Sequence, residues 1–168
     1  MEPTTIISAT IYTDGSCHTA QRLGAWVAII LLDGNKQVLS GAVPDTTHNR
    51  MELTAVIKAL EYCRQPDSGI THLTLCSDSQ YVIGLTGRET RLSSEGFTTK
   101  GGKPLPNADL VTELLALSRF FTIEWIKIAA HQRQTENINY NREADMLARK
   151  LVRANVHSDA SPQDHHRP

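Results

Sequence analysis

The residues of this sequence whose types and spacing could do chemistry are four acids, Asp14, Glu52, Asp78 and Asp145. Asp14 follows the Ile- and Thr-rich run 5–13 and Asp78 follows the short apolar run 72–77. Each is therefore expected at the C-terminal end of a strand, where open α/β sheets gather their ligands. Glu52 precedes Val56 by four residues and Ala59 by seven, so it shares the apolar stripe of a helical stretch instead of facing water. Asp145 precedes Ala148 by three and Val152 by seven, on or beside the buried stripe of another helix. Four carboxylates from four elements could meet, and clustered carboxylates hold divalent cations that in turn attract phosphate. Each acid also has an ordinary structural explanation. Asp14-Gly15 is a turn dipeptide, Asp78 suits the N-cap of the next helix, Asn49 with Glu52 matches a capping box, and Asp145 suits a first helical turn.

The elements that must position these acids follow from periodicity. The run 5–13 reads as a strand that ends in a turn at Asp14-Gly15-Ser16. A nearly continuous apolar run, 23–32, reaches the turn Asp33-Gly34-Asn35, and 37–43 alternates as the returning strand. Residues 49–63 change to a helical period, with Val56, Ala59, Leu60 and Cys63 on one side. A strand at 72–77 and a brief helix at 78–85 follow. The stretch 86–106 reads as an exposed, partly helical excursion. Then come a helix at 107–118 capped at or near Asn107, a strand at 122–129 and a last helix at 141–154. The tail 155–168, ending His165-His166-Arg167-Pro168, is expected to be disordered. Three strands, a helix, a strand, two helices, a strand and a helix make an α/β order with a mixed sheet.

Composition bounds the function. A chain of 168 residues buries about two-thirds of its unfolded surface around a single core, so 1–154 forms one domain. No apolar run approaches a bilayer span and no secretory signal opens the chain, which predicts a soluble cytoplasmic protein. Cys17, Cys63 and Cys76 lack the spacing of a zinc site or a disulfide framework and are expected to be reduced thiols. A net charge of -1 argues against binding nucleic acid by bulk charge, so any phosphate must be held locally. There is no Gly-x-Ser-x-Gly elbow, phosphate loop or His-Glu-x-x-His motif.

Longer motifs surround the acids. Tyr12-Thr13-Asp14-Gly15-Ser16-Cys17, Asn49-Arg50-Met51-Glu52-Leu53 and Ser77-Asp78-Ser79-Gln80-Tyr81-Val82 resemble the first three motifs of the type 1 ribonucleases H, in order and spacing. Ala129-Ala130-His131-Gln132 and Asn141-Arg142-Glu143-Ala144-Asp145-Met146-Leu147-Ala148 resemble that family's histidine loop and last acidic helix. The resemblance covers roughly residues 6–153.

It implies a ribonuclease H-like fold: a five-stranded mixed sheet, three antiparallel strands then two parallel, flanked by helices. It also implies a stand-alone endonuclease that cuts the RNA strand of RNA/DNA hybrids, with a use in DNA replication or repair. Asp14, Glu52, Asp78 and Asp145 would hold two Mg2+ ions, for which Mn2+ substitutes. Two such metals, about 3.5 to 4 Å apart, activate the attacking water and stabilise the leaving oxygen, giving 3'-hydroxyl and 5'-phosphate ends. His131 would assist proton transfer or product departure. Cys17, Asn49 and Gln80 match positions that contact the hybrid, and Thr47 matches one that grips a DNA phosphate. Arg88 and Arg91 fall in the excursion corresponding to the family's basic handle, where Glu89 and Glu95 dilute their charge. The segment His18-Thr19-Ala20-Gln21-Arg22 and His48 depart from the bacterial pattern, and the loop between His131 and Asp145 resembles the longer one of reverse transcriptases. A monomer with no obligate protein partner is the simplest expectation. Two rivals remain: a catalytically silent hybrid-binding module, and another nuclease of the same broad fold, such as a resolvase or exonuclease.

Overall fold

The computed structural model describes residues 5–130 and 137–158. Five strands form one sheet in the order β3-β2-β1-β4-β5. β1 (Ile7–His18), β2 (Leu23–Leu32) and β3 (Asn35–Val43) are antiparallel neighbours, while β4 (Ile70–Ser77) and β5 (Thr122–Lys127) add in parallel beyond β1. The β2–β3 connection is the two-residue turn Asp33-Gly34, both with positive φ (50° and 75°). That backbone matches the twist of a hairpin, and Asp-Gly tolerates it. Parallel pairing demands a crossover. α1 (His48–Cys63) makes the first, from β3 to β4. The second, from β4 to β5, passes through α2 (Gln80–Ile83), a 3-10 turn at Thr86–Arg88, α3 (Glu89–Ser94) and α4 (Ala108–Ser118). α5 (Tyr140–Ser158) closes the described chain. None of these helices is long and apolar enough to cross a membrane.

Helices cover both faces. On one, Leu53, Val56 and Leu60 of α1 and Val111, Leu114 and Leu115 of α4 pack on Ile11, Ile30 and Leu75 of the sheet. On the other, Ala144 and Ala148 of α5 lie on Val27 and Ile29. The apolar stripes read in the sequence are thus the faces turned to the sheet. Each fully buried leucine contributes about 1.5 to 3 kcal/mol, and Leu60→Ala, removing side-chain volume from a position with no exposure, costs about 2 to 5 kcal/mol.

Several boundaries differ from the sequence expectation, and the reasons bear on the site. β1 does not end at Asp14. It runs through Asp14-Gly15-Ser16, which pair with Val27, Trp26 and Ala25, because β2 is long enough to hydrogen-bond β1 to His18. The cap of α1 is Thr47, whose Oγ1 accepts from the Arg50 amide, so Asn49 and Glu52 form no capping box. Ser79, not Asp78, caps α2 through its hydroxyl and the Val82 amide. Asn107 stands at the N-cap of α4 in the left-handed region, φ 61°, and caps nothing. Its side chain instead accepts from Arg50 Nη1 at 3.4 Å and donates to the Tyr81 hydroxyl at 3.5 Å. The excursion 86–106 is partly helical, anchored by buried Leu92 and closed by a bridge between Thr98 and Pro104. α5 continues to Ser158, past the expected end at 154. The tail beyond it lies outside the described residues.

Candidate active site

The parallel ladder between β1 and β4 ends at the pair Thr13 and Ser77. Asp14 and Asp78 are the next residue of each strand's chain, so register alone sets two carboxylates side by side. Glu52 arrives from α1, one turn past the cap. Its approach requires Gly15: a Cβ there would stand 2.6 Å from the Glu52 amide nitrogen and 2.7 Å from the Met51 carbonyl carbon. Glycine is the residue that lets the helix lie directly on the strand. One ligand oxygen each from Asp14, Glu52 and Asp78 then lies within 4.8 Å of the others. Asp145, from α5, lines the same cleft of about 410 Å3, although it is not one of that close trio.

Burial makes this arrangement electrostatically costly. Asp14 and Glu52 are 3% and 2% exposed. Burial first, then the charges of Glu52, Asp78 and Asp145, hold the Asp14 carboxyl well above the usual carboxylate range, opposed only by the Gly15 amide that donates to its Oδ1. Burial also raises Glu52, against the lowering effect of His48, whose Nε2 lies 3.0 Å from Glu52 Oε1. The other oxygen, Glu52 Oε2, is buried with no hydrogen-bond partner. A buried acceptor left open among like charges suits a cation. The donors are hard carboxylate oxygens, which suit Mg2+, Mn2+ or Ca2+ rather than a thiolate-seeking metal. The residues present therefore fit a divalent cation.

Comparison with known proteins agrees with this geometry. The RNase H family model matches residues 7–153. Curated proteins named Ribonuclease H from Ehrlichia canis and Moorella thermoacetica are 39% and 37% identical, over 84% and 86% of this chain and 92% and 91% of their own. Among solved structures, the crystal structure of LC9-RNase H1, a type 1 RNase H with the type 2 active-site motif, superposes with a TM-score of 0.76 over 91% of this chain and 75% of that one, at 20% identity. The N-terminal RNase H domain of a Mycobacterium tuberculosis protein, fused to maltose-binding protein, gives 0.67 at 21% identity, over 92% of this chain and 99% of that one. The chain belongs to the RNase H family. It is accordingly a hydrolase of the ribonuclease class, and the five-stranded mixed sheet is the fold of its RNase H structural neighbours.

Within this RNase H fold the other candidate residues fall into three groups. Asn49 and Gln80 line the acid cleft, as do Ser16, Ser79 and Tyr81. Cys17, whose Sγ donates to the Thr46 carbonyl at 3.7 Å, and Thr47, occupied in capping α1, stand outside its lining. Arg88 donates to the Gly84 carbonyl and, with Arg91, belongs to the excursion rather than the cleft. His131 lies outside the described residues, although Ala130 beside it reaches the cleft wall. Cys17, Cys63 and Cys76 are free thiols. Two cleft residues escaped the sequence reading as partners of the acids: His48 on Glu52, and Arg149, whose Nε lies 3.0 Å from Asp145 Oδ1. Both pairs are spaced i, i+4 on a helix, a signal present in the sequence.

Proposed function

We propose that this protein is an endonuclease that hydrolyses the RNA strand of RNA/DNA hybrids with the help of divalent cations, Mg2+ first among them. The observation that carries the reading is the trio Asp14, Glu52 and Asp78, whose ligand oxygens lie within 4.8 Å of one another in the lining of one cleft, with Glu52 Oε2 buried and unpartnered. Asp14, Glu52 and Asp78 would hold the ions, with Asp145 completing the set from α5. Two cations held by these carboxylates would supply an activated water and charge stabilisation at the leaving 3'-oxygen, chemistry that would give 3'-hydroxyl and 5'-phosphate ends.

The chain's own residues do the positioning. Asn49 and Gln80 flank the acids, where amide side chains can donate to and accept from the 2'-hydroxyls that distinguish an RNA strand. His131 is assigned proton transfer or product departure, and Thr47 a DNA phosphate. Cys17, Arg88 and Arg91 are assigned hybrid contacts farther from the cut. Mn2+ replaces Mg2+ in this scheme. The catalytic unit extends through α5, works as a monomer in the cytoplasm, and serves hybrid removal during replication.

The test is cleavage of an end-labelled RNA/DNA hybrid beside matched RNA/RNA, DNA/DNA and single-stranded RNA, with Mg2+, Mn2+ or EDTA. Internal cuts confined to the RNA of the hybrid and lost in EDTA are expected. Hybrid binding without cleavage would replace this reading with a silent module, and cutting of DNA junctions would replace it with a resolvase.

A further inference from the structure

The cleft does not stop at Asp145. A groove of about 810 Å3 continues along the outer side of α5, and Asp145 and Arg149 line both. Arg142, Met146, Arg149, Lys150 and Arg153 line this groove at spacings of four, three, one and three, which is one stripe of a helix. The opposite stripe, with Ala144 and Ala148, is buried on β2. Packing therefore uses one side of α5 and leaves the cations on the other.

The acids of the groove are already engaged. Asp145 is paired with Arg149, and Glu143 with Lys36. Among the described residues Arg142, Lys150 and Arg153 form no ion pair. The excursion 86–106 also carries cations with no ion pair among the described residues, Arg91, Lys100 and Lys103, but it lines neither the cleft nor this groove, its Glu89 takes Arg119, and Arg88 is spent on a backbone carbonyl. A chain of net charge -1 thus gathers three uncompensated cations in a concave surface continuous with its acid cleft.

We propose that the outer stripe of α5 is a second backbone-binding track, in which Arg142, Lys150 and Arg153 each hold a phosphate along the nucleic acid as it leaves the cleft. The inference rests on the hybrid substrate proposed above. From 142 to 153 the helix rises about 16 Å, at about 1.5 Å per residue. That covers roughly five nucleotide steps at about 3.4 Å each. Exposed Met146 lies between the cations and gives the track an apolar floor for sugar faces.

The experiment measures binding of a hybrid of roughly 20 base pairs, longer than cleft and stripe together, against salt concentration. The full chain carries Asp14→Asn throughout, so that the hybrid stays intact. Adding Arg142→Gln, Lys150→Gln and Arg153→Gln should lower the slope of log affinity against log salt by about 2 to 3, near 0.9 per lost phosphate contact. Arg142→Lys with Arg153→Lys, Lys150 retained, should restore it. A hybrid too short to reach α5 should bind the triple variant and its parent alike. The three positions lie on the side of α5 turned away from the sheet, and an unchanged circular dichroism spectrum checks the fold. An unchanged slope, or an equal drop on the short hybrid, would overturn the track. If the slope falls as expected but the unsubstituted chain fails to cut hybrid, the track stands and the hydrolytic reading falls. If the chain cuts hybrid and the slope is unchanged, only the track falls.

Discussion

Asp14 and Asp145 border one cleft but are held in opposite ways. Asp14 is almost wholly buried on a central strand, its neighbours are other acids, and the group that helps it is one backbone amide. Asp145 stands on the last helix, is half-buried, and already has Arg149 against it. Burial among like charges makes the Asp14 corner dependent on a cation, because water cannot screen what it cannot reach. The Asp145 corner is satisfied without one. The rigid, buried side should therefore govern whether a cation binds at all, and the helical side should adjust how tightly.

The largest effect tests that contrast directly. Asp14→Asn should reduce hydrolysis of the hybrid by about 100-fold or more, a barrier increase of about 2.7 kcal/mol or more, measured in single-turnover cleavage. In EDTA the same substitution should raise the melting temperature by a few degrees, since about 1 kcal/mol is worth about 2 to 4 °C in a chain of this size. Loss of activity together with a gain in metal-free stability separates a repelled ligand from a structural aspartate. A fall in stability would break the comparison.

The sign of the pH dependence follows from the same shifts. Asp14 and Glu52 are raised in the folded protein, so their stabilising protonated forms are present at and below the ordinary carboxylate range and are lost as pH rises through the folded values. His48, also raised, acts in the same direction. Asp109, held down to about 2 by Arg50, acts oppositely, but only as pH falls below the usual aspartate value. Between about pH 4 and 8, the melting temperature of the metal-free protein should therefore gain less, or fall more, in the parent than in Asp14→Asn. Mg2+ at neutral pH should remove most of the difference. Parallel melting curves for the two proteins in EDTA would sink the assignment.

Gly15→Ala comes next, because it attacks the approach of α1 rather than a ligand. Its Cβ would meet backbone atoms at 2.6 and 2.7 Å, which no rotamer change relieves. The helix must move, at about 1 to 3 kcal/mol, and Glu52 moves with it. A lower melting temperature and a weaker Mg2+ titration are expected together. Normal metal affinity in a destabilised variant would show that the contact serves packing alone.

Much of this was legible beforehand because it depends on local pattern. Asp33-Gly34 announces its hairpin, and the stripes through Val56 and Ala148 announce which helix faces are buried. The misreadings share one cause. Asp14-Gly15 looks like a turn and Asn49-x-x-Glu52 like a capping box, since short polar side chains serve many local roles. Which role wins is decided by pairing with β2 and by a competing hydroxyl on Thr47, both set by tertiary structure. The closeness of Asp14 to Asp78 is a matter of strand register across about sixty residues, beyond any local pattern. The i, i+4 pairs His48–Glu52 and Asp145–Arg149 were visible as spacing but carried no chemistry until the acids were seen together.

The smaller effects belong to these two helper residues and the acid that has one. Asp145→Asn should cost about tenfold in activity at low Mg2+, about 1.4 kcal/mol, and recover most of it at saturation. A loss as deep as that of Asp14→Asn would erase the distinction between the two corners. His48 donates to Glu52 Oε1 from a side chain that is 59% exposed, and Oε2 stays buried without a partner. Its hydrogen bond is open to solvent screening, so removal should be mild. His48→Ala should raise the Mg2+ concentration for half-maximal cleavage a few-fold, in keeping with about 1 kcal/mol for a hydrogen bond, with little change at saturation. His48→Gln, which keeps a donor, should restore most of the affinity. If alanine and glutamine titrate alike, Glu52 is oriented by its own burial and the helix beneath it, and the exposed side of the cleft contributes nothing to its aim.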